Sequence, residues 1–241
     1  SSAASDVYKR QPVDYPWMET RGTNVNAIWG YIADGLFTSQ DEIDDHAKQF
    51  GTVHVGDIKY RDLNDDGVID DYDKTVIGRG DVPRIYYGFG ADLQVGNFSF
   101  SALFQGNAQA DRYLDGISIK PFWDDEGRDN VFANITDRWS ADNPTNQDVF
   151  YPRLSVGSDG NNNNVKPSSW WVKDVSFLRL KQVNISYTLP KKWTDPLLIK
   201  NAQIYLMGTN LLTFSKFKLW DPELNTSNGT AYPNAVSYTH L

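Results

Sequence analysis

The run YYGFGADLQVGNFSFSALFQG, residues 86–106, constrains the fold more than any other stretch, because its side chains repeat every second residue. One face carries Tyr87, Phe89, Ala91, Leu93 and Val95, against Gly88, Gly90, Asp92 and Gln94. After a turn at Gly96-Asn97 the pattern resumes with Phe98, Phe100, Ala102 and Phe104 against Ser99, Ser101 and Gln105, and Leu103 is the exception. Strands project alternate side chains to opposite faces, so this is a hairpin with one apolar face. Each arm is about nine or ten residues, close to what a tilted strand needs to cross a bilayer's hydrocarbon core. A hairpin in a soluble sandwich shows the same alternation, and the period alone leaves both open.

Composition narrows the choice without making it. No apolar run approaches the length of a spanning helix, so a helical membrane protein is excluded; a barrel is not, because alternation hides its hydrophobicity from any average. Aromatics make up 14% of the 241 residues, with 8 Trp and 13 Tyr, which is unusual for a soluble globule. With a net charge of -8 and no basic cluster interleaved with aromatics, nucleic acid is not an expected partner. The absence of Cys excludes a disulfide framework, thiol catalysis and a zinc-thiolate site. No secretory signal opens the chain, so an exported protein is expected to have its true N-terminus elsewhere. Residues 1–11 and 237–241 resemble translated adapter sequence and are expected to be non-native tails.

Residues 17–37 mix Gly, Asn and aromatics and suit short strands and turns. Ser39 to Glu42 forms a capping box, with Ile43, Ala47 and Phe50 at helical spacing, which predicts a short acidic helix over 40–50. Val53, Val55, Ile58 and Tyr60 then lead on in extended form. Residues 107–172 read as a long polar loop holding a helix around Asn130 to Trp139 and the Asn161–Asn164 run. Pairing resumes at Val172. Val183, Ile185, Tyr187 and Leu189 alternate with Gln182, Asn184, Ser186 and Thr188, Pro190-Lys191-Lys192 ends the strand, and a less regular one follows from Asn201 to Phe214. Ala235 to Tyr238 looks like the start of one more.

The most specific chemical signal is DLNDDGVIDDYD, residues 62–73. Asp62, Asn64, Asp66, Asp70 and Asp73 fall at positions 1, 3, 5, 9 and 12 of a calcium loop, and Val68 at position 7 offers its backbone carbonyl. Gly67 permits the sharp turn, and Ile69 can anchor the loop to apolar neighbours. A solvated acidic turn is the alternative. Because the loop is entered from an extended segment, a structural calcium ion is expected rather than a sensor. Asp73 is shorter than the usual Glu, which loosens one ligand.

Other candidates are weaker. Trp123, Trp170 and Trp171, with Asp124 and Asn130 as polar partners, could stack and bind a sugar, or could belong to an interfacial aromatic girdle or simple loop packing. The trio Asp124-Asp125-Glu126 invites a glycosidase reading, but adjacent carboxylates rarely face each other across a bond. His46, His54 and His240 have no metal-ligand spacing, and no nucleophile elbow surrounds any Ser. No enzyme is expected.

The order GYIADGLF, QDEI, GDIKYRDLNDDGVIDDYDKTVIG, YYGFGADLQVGNFSFSALFQG, RWSADNPTN, WWVKDVSFLRLKQVNISYTLP and NLLTFSKFKLWDPE resembles the C-terminal part of the SusC/RagA-type TonB-dependent outer-membrane transporters of Bacteroidetes, over most of residues 20–235. The resemblance implies an all-β, antiparallel fold, part of a large transmembrane barrel with long extracellular loops containing short helices, spanning residues 12–236. It also implies a SusD-like lid lipoprotein, TonB, an oligosaccharide or peptide substrate and outer-membrane lipid as partners. Plug, TonB-contacting segment and most barrel strands have no counterpart here, so the chain is expected to be a fragment not competent to transport alone. The alternative is a secreted dockerin-like or carbohydrate-binding β module, although dockerins carry two such loops, each followed by a helix.

Overall fold

The computed structural model describes residues 13–116, 119–122, 133–156 and 162–227, and these fall into two compact units. The expected tails and the strand expected at Ala235 to Tyr238 lie outside the described residues.

The first unit comprises residues up to 81 and 111–173. Its strands are short: β1 (Ile28–Gly30), β2 (Ala33–Leu36), β3 (Ile58–Tyr60), β4 (Thr75–Gly78), β7 (Asp111–Tyr113) and β8 (Val172–Asp174) pair antiparallel as β1-β4, β2-β3 and β7-β8. The 62–73 loop is therefore entered from one strand and left into another. The buried Leu36, Phe37, Ile58, Tyr60, Tyr151 and Trp171 form the core. At its centre sits Asp57, fully buried, whose carboxylate accepts Arg153 Nε (2.8 Å) and Nη2 (3.1 Å), the His54 amide (2.8 Å) and Asn164 Nδ2 (2.8 Å). A buried charge persists only when paired and hydrogen-bonded, as here.

Helix α1 forms where the capping box predicts it but covers only Gln40–Asp44. Ser39 Oγ accepts the Glu42 amide (3.2 Å), and the Glu42 carboxylate holds Thr38 N (2.8 Å) and Lys59 Nζ (2.5 Å). The helix stops short of residue 50 because Lys48 bridges to Val68, and this tertiary pairing overrides the local period. The segment from Val53 is a turn, with the Asp57 amide on the His54 carbonyl (3.0 Å), before β3 begins. Of the helix expected around Asn130 to Trp139, the described part is a 3-10 turn, Ala133–Thr136.

The second unit, residues 82–110 and 174 onward, is one four-stranded antiparallel sheet. It comprises β5 (Ile85–Val95), β6 (Phe98–Ala108), β9 (Phe177–Thr188) and β10 (Gln203–Ser215), in the order β10-β9-β6-β5. Gly96 takes φ +58 in the two-residue β5-β6 turn, a conformation that glycine adopts without steric cost. The register carries the hairpin's apolar face across all four strands: Leu93, Phe100, Ile185 and Leu206 are successive partners, as are Val95, Phe98, Tyr187 and Ile204. Phe89 and Phe104 stack at 5.1 Å.

This register also explains two irregularities in the sequence. Between one rung and the next, β6 advances from Leu103 to Phe104, β9 from Gln182 to Leu180, and β10 from Thr209 to Leu212. The extra residue in β9 reverses its alternation, so Leu178 and Leu180 share the face of Ile185 while Arg179 turns to the other. Asn210, at φ +53, absorbs the corresponding irregularity in β10, whose alternation is accordingly poor.

Candidate functional site

The acidic loop is built from successive turns in which a side-chain oxygen accepts a backbone amide two residues on, a habit of Asn and Asp. Asn64 Oδ1 accepts Asp66 N (3.2 Å), Asp66 Oδ1 accepts Val68 N (2.9 Å) and Asp70 Oδ1 accepts Tyr72 N (2.8 Å). Asp62 Oδ2 reaches further, to the amide of Gly67 (2.8 Å), which Gly67 presents at φ +84. Asp73 draws the two ends together: its Oδ1 accepts Leu63 N (2.7 Å) and its Oδ2 accepts Asp70 N (2.8 Å), with the residue fully buried. Lys48 straps the outside through Gly67 O (2.9 Å) and Ile69 N (2.8 Å), while Ile69 is buried as an anchor. On the exit side Trp17 Nε1 donates to Tyr72 O (2.7 Å), and its ring stacks on Tyr15 at 4.7 Å.

The charges in this loop are not balanced from within. Burial raises the Asp73 carboxyl above the ordinary carboxylate range against the pull of its two amide donors, and the negative charges of Asp62 and Asp70 raise it further. Among the described residues Asp62 Oδ1 is buried without a hydrogen-bond partner. Oxygen donors of this kind, an orphaned carboxylate oxygen and further carboxylates beside a glycine turn, are the type a hard cation takes. As the side chains stand, no three His, Asp or Glu groups among the described residues gather at ligand distance. The second oxygen of Asp66 accepts Asn64 Nδ2 (2.9 Å), and that bond must open for Asp66 to turn inward.

Of the candidate ligand-binding residues, Trp123, Asp124 and Asn130 lie outside the described residues. Trp171 corrects the expectation of sugar stacking. It is 2% exposed, its Nε1 donates to Asn164 O (2.9 Å), and Phe150 and Tyr151 pack edge-on against it, so no ring face is open. Trp170 is half-buried, with Nε1 on Phe150 O (3.0 Å) and the Lys173 ammonium 6.0 Å from its ring. The two side chains are brought together as packing, not as a cleft.

Two clusters were invisible in the pattern. Asn163 and Asn164, in a run that reads as loop, are 2% and 4% exposed. Asn163 Nδ2 donates to Ile58 O (2.7 Å) and Asn164 Oδ1 accepts Ile58 N (2.9 Å), extending the β3 edge with side-chain amides. In the sheet unit, Arg179 is 3% exposed and holds Asp221 (2.5 Å), Glu223 (2.7 Å) and Thr213 (3.0 Å). The acids of the WDPE motif thus bind the charge that the β9 irregularity turns to their side.

The sheet itself is accessible on both faces, as a wall one residue thick would be. On one face Phe89, Leu93, Phe98, Ile204 and Leu206 are all more than half exposed. The other presents Asp92, Gln94, Ser99, Ser101, Asn184 and Ser186 around a depression of 410 Å³. A ladder of Phe, Leu and Ile this extensive is not left to water in a monomeric soluble protein, whereas hydrocarbon covers it without cost. Strands of 11 to 13 residues are long enough to cross. No helix among the described residues is long and apolar enough to do so.

This two-faced, antiparallel wall is the kind of sheet from which an outer-membrane barrel is built. Comparison with known proteins supplies the family. No family model matches the chain. It is 36% identical over 202 residues to the TonB-dependent receptor P26 of Formosa agariphila, covering 84% of this chain and 19% of that receptor. It is 26% identical over 231 residues to the TonB-dependent receptor P3 of the same organism, covering 90% and 22%. Among solved structures, the RagAB peptide importer in its open-open state matches 81% of the chain with a TM-score of 0.58 at 20% identity, covering 19% of that chain. The RagAB peptide transporter matches the same share with a TM-score of 0.59. The structural likeness shows the fold. The chain belongs to the TonB-dependent receptors, and these are proteins of the outer membrane. It spans about a fifth of the length of the curated relatives it matches, 19% and 22%.

Proposed function

We propose that this chain is part of an importer that carries oligomeric nutrients, oligosaccharides or peptides, across the outer membrane. The observation that carries the reading is the two-faced sheet: a continuous apolar ladder for lipid, backed by Ser, Asn, Gln and Asp, which suits a hydrated interior. A SusD-like lid lipoprotein outside and TonB inside would complete the machine. The relatives are receptors rather than enzymes, and the RagAB neighbours are a peptide importer, which keeps peptide beside glycan as substrate class. The dockerin-like alternative loses support, because the 62–73 loop ends in a 3-10 turn, Asp71–Asp73, and passes into β4 instead of a helix.

Within this importer the acidic loop would hold one structural calcium ion through Asp62, Asn64, Asp66, the Val68 carbonyl, Asp70 and Asp73. Its chemistry would be neutralisation of clustered carboxylates, fixing the crossing from β3 to β4, and no catalytic step is routed through it.

Deleting the receptor's gene and measuring uptake of fluorescent oligosaccharides and fluorescent peptides by intact cells tests the transport reading. Loss of one class of uptake is expected and names the substrate. Unchanged uptake of every oligomer offered, with unchanged growth on each, overturns the proposal.

A further inference from the structure

The connection between β9 and β10, residues 189–202, is short but chemically marked. It holds helix α2 (Lys191–Thr194) and a 3-10 turn, Asp195–Leu197. Lys191, Lys192 and Lys200 are all exposed, and among the described residues none forms an ion pair; Lys192 lies over the Trp193 ring at 5.9 Å. The only acid among them is Asp195. Trp193 is 55% exposed and Leu198 is 93% exposed, the latter at φ +56, a left-handed conformation that disfavours a branched residue. An apolar side chain presented in this way is expensive in water and appropriate at a membrane boundary.

The register places this connection at one end of the apolar ladder. Leu189 N bonds Ala202 O (2.9 Å), and Thr188 N bonds Asn97 O (2.9 Å) beside the tight β5-β6 turn. Tight turns mark the periplasmic end of outer-membrane barrels. The outermost rung of lipid-facing residues, Phe98, Tyr187 and Ile204, lies immediately next to it.

We propose that residues 190–200 form an interfacial anchor for the periplasmic leaflet: Trp193 and Leu198 enter the headgroup boundary, and Lys191, Lys192 and Lys200 bind the phosphates of anionic phospholipids. Continuity with the lipid-facing ladder and the excess of lysine over acid commit the surface to lipid. The inference rests on the outer-membrane placement of the sheet and not on what the receptor imports.

A nitroxide at Leu198→Cys in the complete receptor, reconstituted in phosphatidylethanolamine vesicles with and without phosphatidylglycerol, tests it. Oxygen should quench the label more than a water-soluble nickel chelate does, the reverse of a label at Asn143→Cys in an exposed turn. Replacing Lys191, Lys192 and Lys200 by Gln should weaken the preference for spin-labelled phosphatidylglycerol over phosphatidylcholine, roughly fivefold per lysine. Free access of the chelate to Leu198→Cys overturns the anchor, as does exclusion of both quenchers, which would mean a protein covers the site. An unchanged lipid preference in the triple Gln variant overturns the role of the lysines.

Discussion

Arg179 and Asp221 form a buried ion pair at 2.5 Å, with side chains only 3% and 9% exposed, that ties the segment after β10 to the face of β9 opposite the lipid. The pair exists because the irregularity at Lys181 reverses the strand's alternation. Replacing Asp221 by Ala leaves the guanidinium with Glu223 and Thr213 alone, and a cost of about 3–5 kcal/mol is expected, read as a lower denaturant midpoint. Arg179→Met combined with Asp221→Leu should recover much of that loss, since removing both charges leaves neither one unpaired. If the double variant is no better than the single one, the pair does more than balance charge.

Asn164 serves the Ile58 amide, the Asp57 carboxylate and the Arg153 carbonyl at once, all in the core of the first unit. Asn164→Ala leaves buried groups unsatisfied, so a loss of about 2–4 kcal/mol is expected in urea titration. Asn162→Ala, two residues away and less buried, should change the midpoint little.

Calcium binding at the acidic loop can be read through Trp17, whose indole donates to Tyr72 O. Titration should shift tryptophan emission with saturation at millimolar calcium or below. Asp62→Asn keeps an acceptor for the Gly67 amide but removes a charge, and should weaken binding roughly tenfold or more with little change in the calcium-free fold. No heat or emission change on adding calcium to the folded receptor would dismiss the ion.

Burial of Tyr31, Tyr60, Tyr113 and Tyr151 raises their phenol pKa values, Tyr151 to about 12, from an ordinary 10.0. The unfolded chain therefore releases these protons first as pH rises. The stability they confer is complete below about pH 10 and is lost as pH climbs through the folded values. Absorbance titration should show a group of tyrosines that ionises only together with unfolding. Ionisation of all tyrosines near the ordinary value, with the fold intact, would contradict their burial.

In the four-stranded sheet, β5 and β10 are edges without a partner among the described residues. Lipid cannot hydrogen-bond an open edge, and each unsatisfied group there costs several kcal/mol. Expressed alone, the 241-residue chain should aggregate instead of yielding a heat-modifiable monomer that conducts ions in planar bilayers. A stable conducting monomer would refute this.

Much of this protein is legible from residue order. The period of the hairpin sets strand length, the turn position and which side chains share a face, and the paired register keeps Phe89 opposite Phe104 as alternation requires. These are local consequences of the two-residue repeat. The capping box likewise places the start of α1, although not its end. The acidic spacing marks the loop that joins β3 to β4, where Asn64, Asp66 and Asp70 each accept a backbone amide two residues on.

Other features depend on partners remote in sequence. Trp170 and Trp171 are adjacent and chemically identical, yet only Trp171 is closed into the core, because Phe150, Tyr151 and Asn164 arrive from elsewhere. Asn163 and Asn164 belong to a polar run and became core residues because a strand edge offered groups to satisfy. The reversal at Lys181 cannot be read from β9 alone, since a change of register is defined only against the neighbouring strands. The sequence by itself determined period, turns and charge spacing, all set within a few residues. Tertiary structure decided which polar groups are buried, because burial is settled by residues far apart in the chain that meet only when it folds.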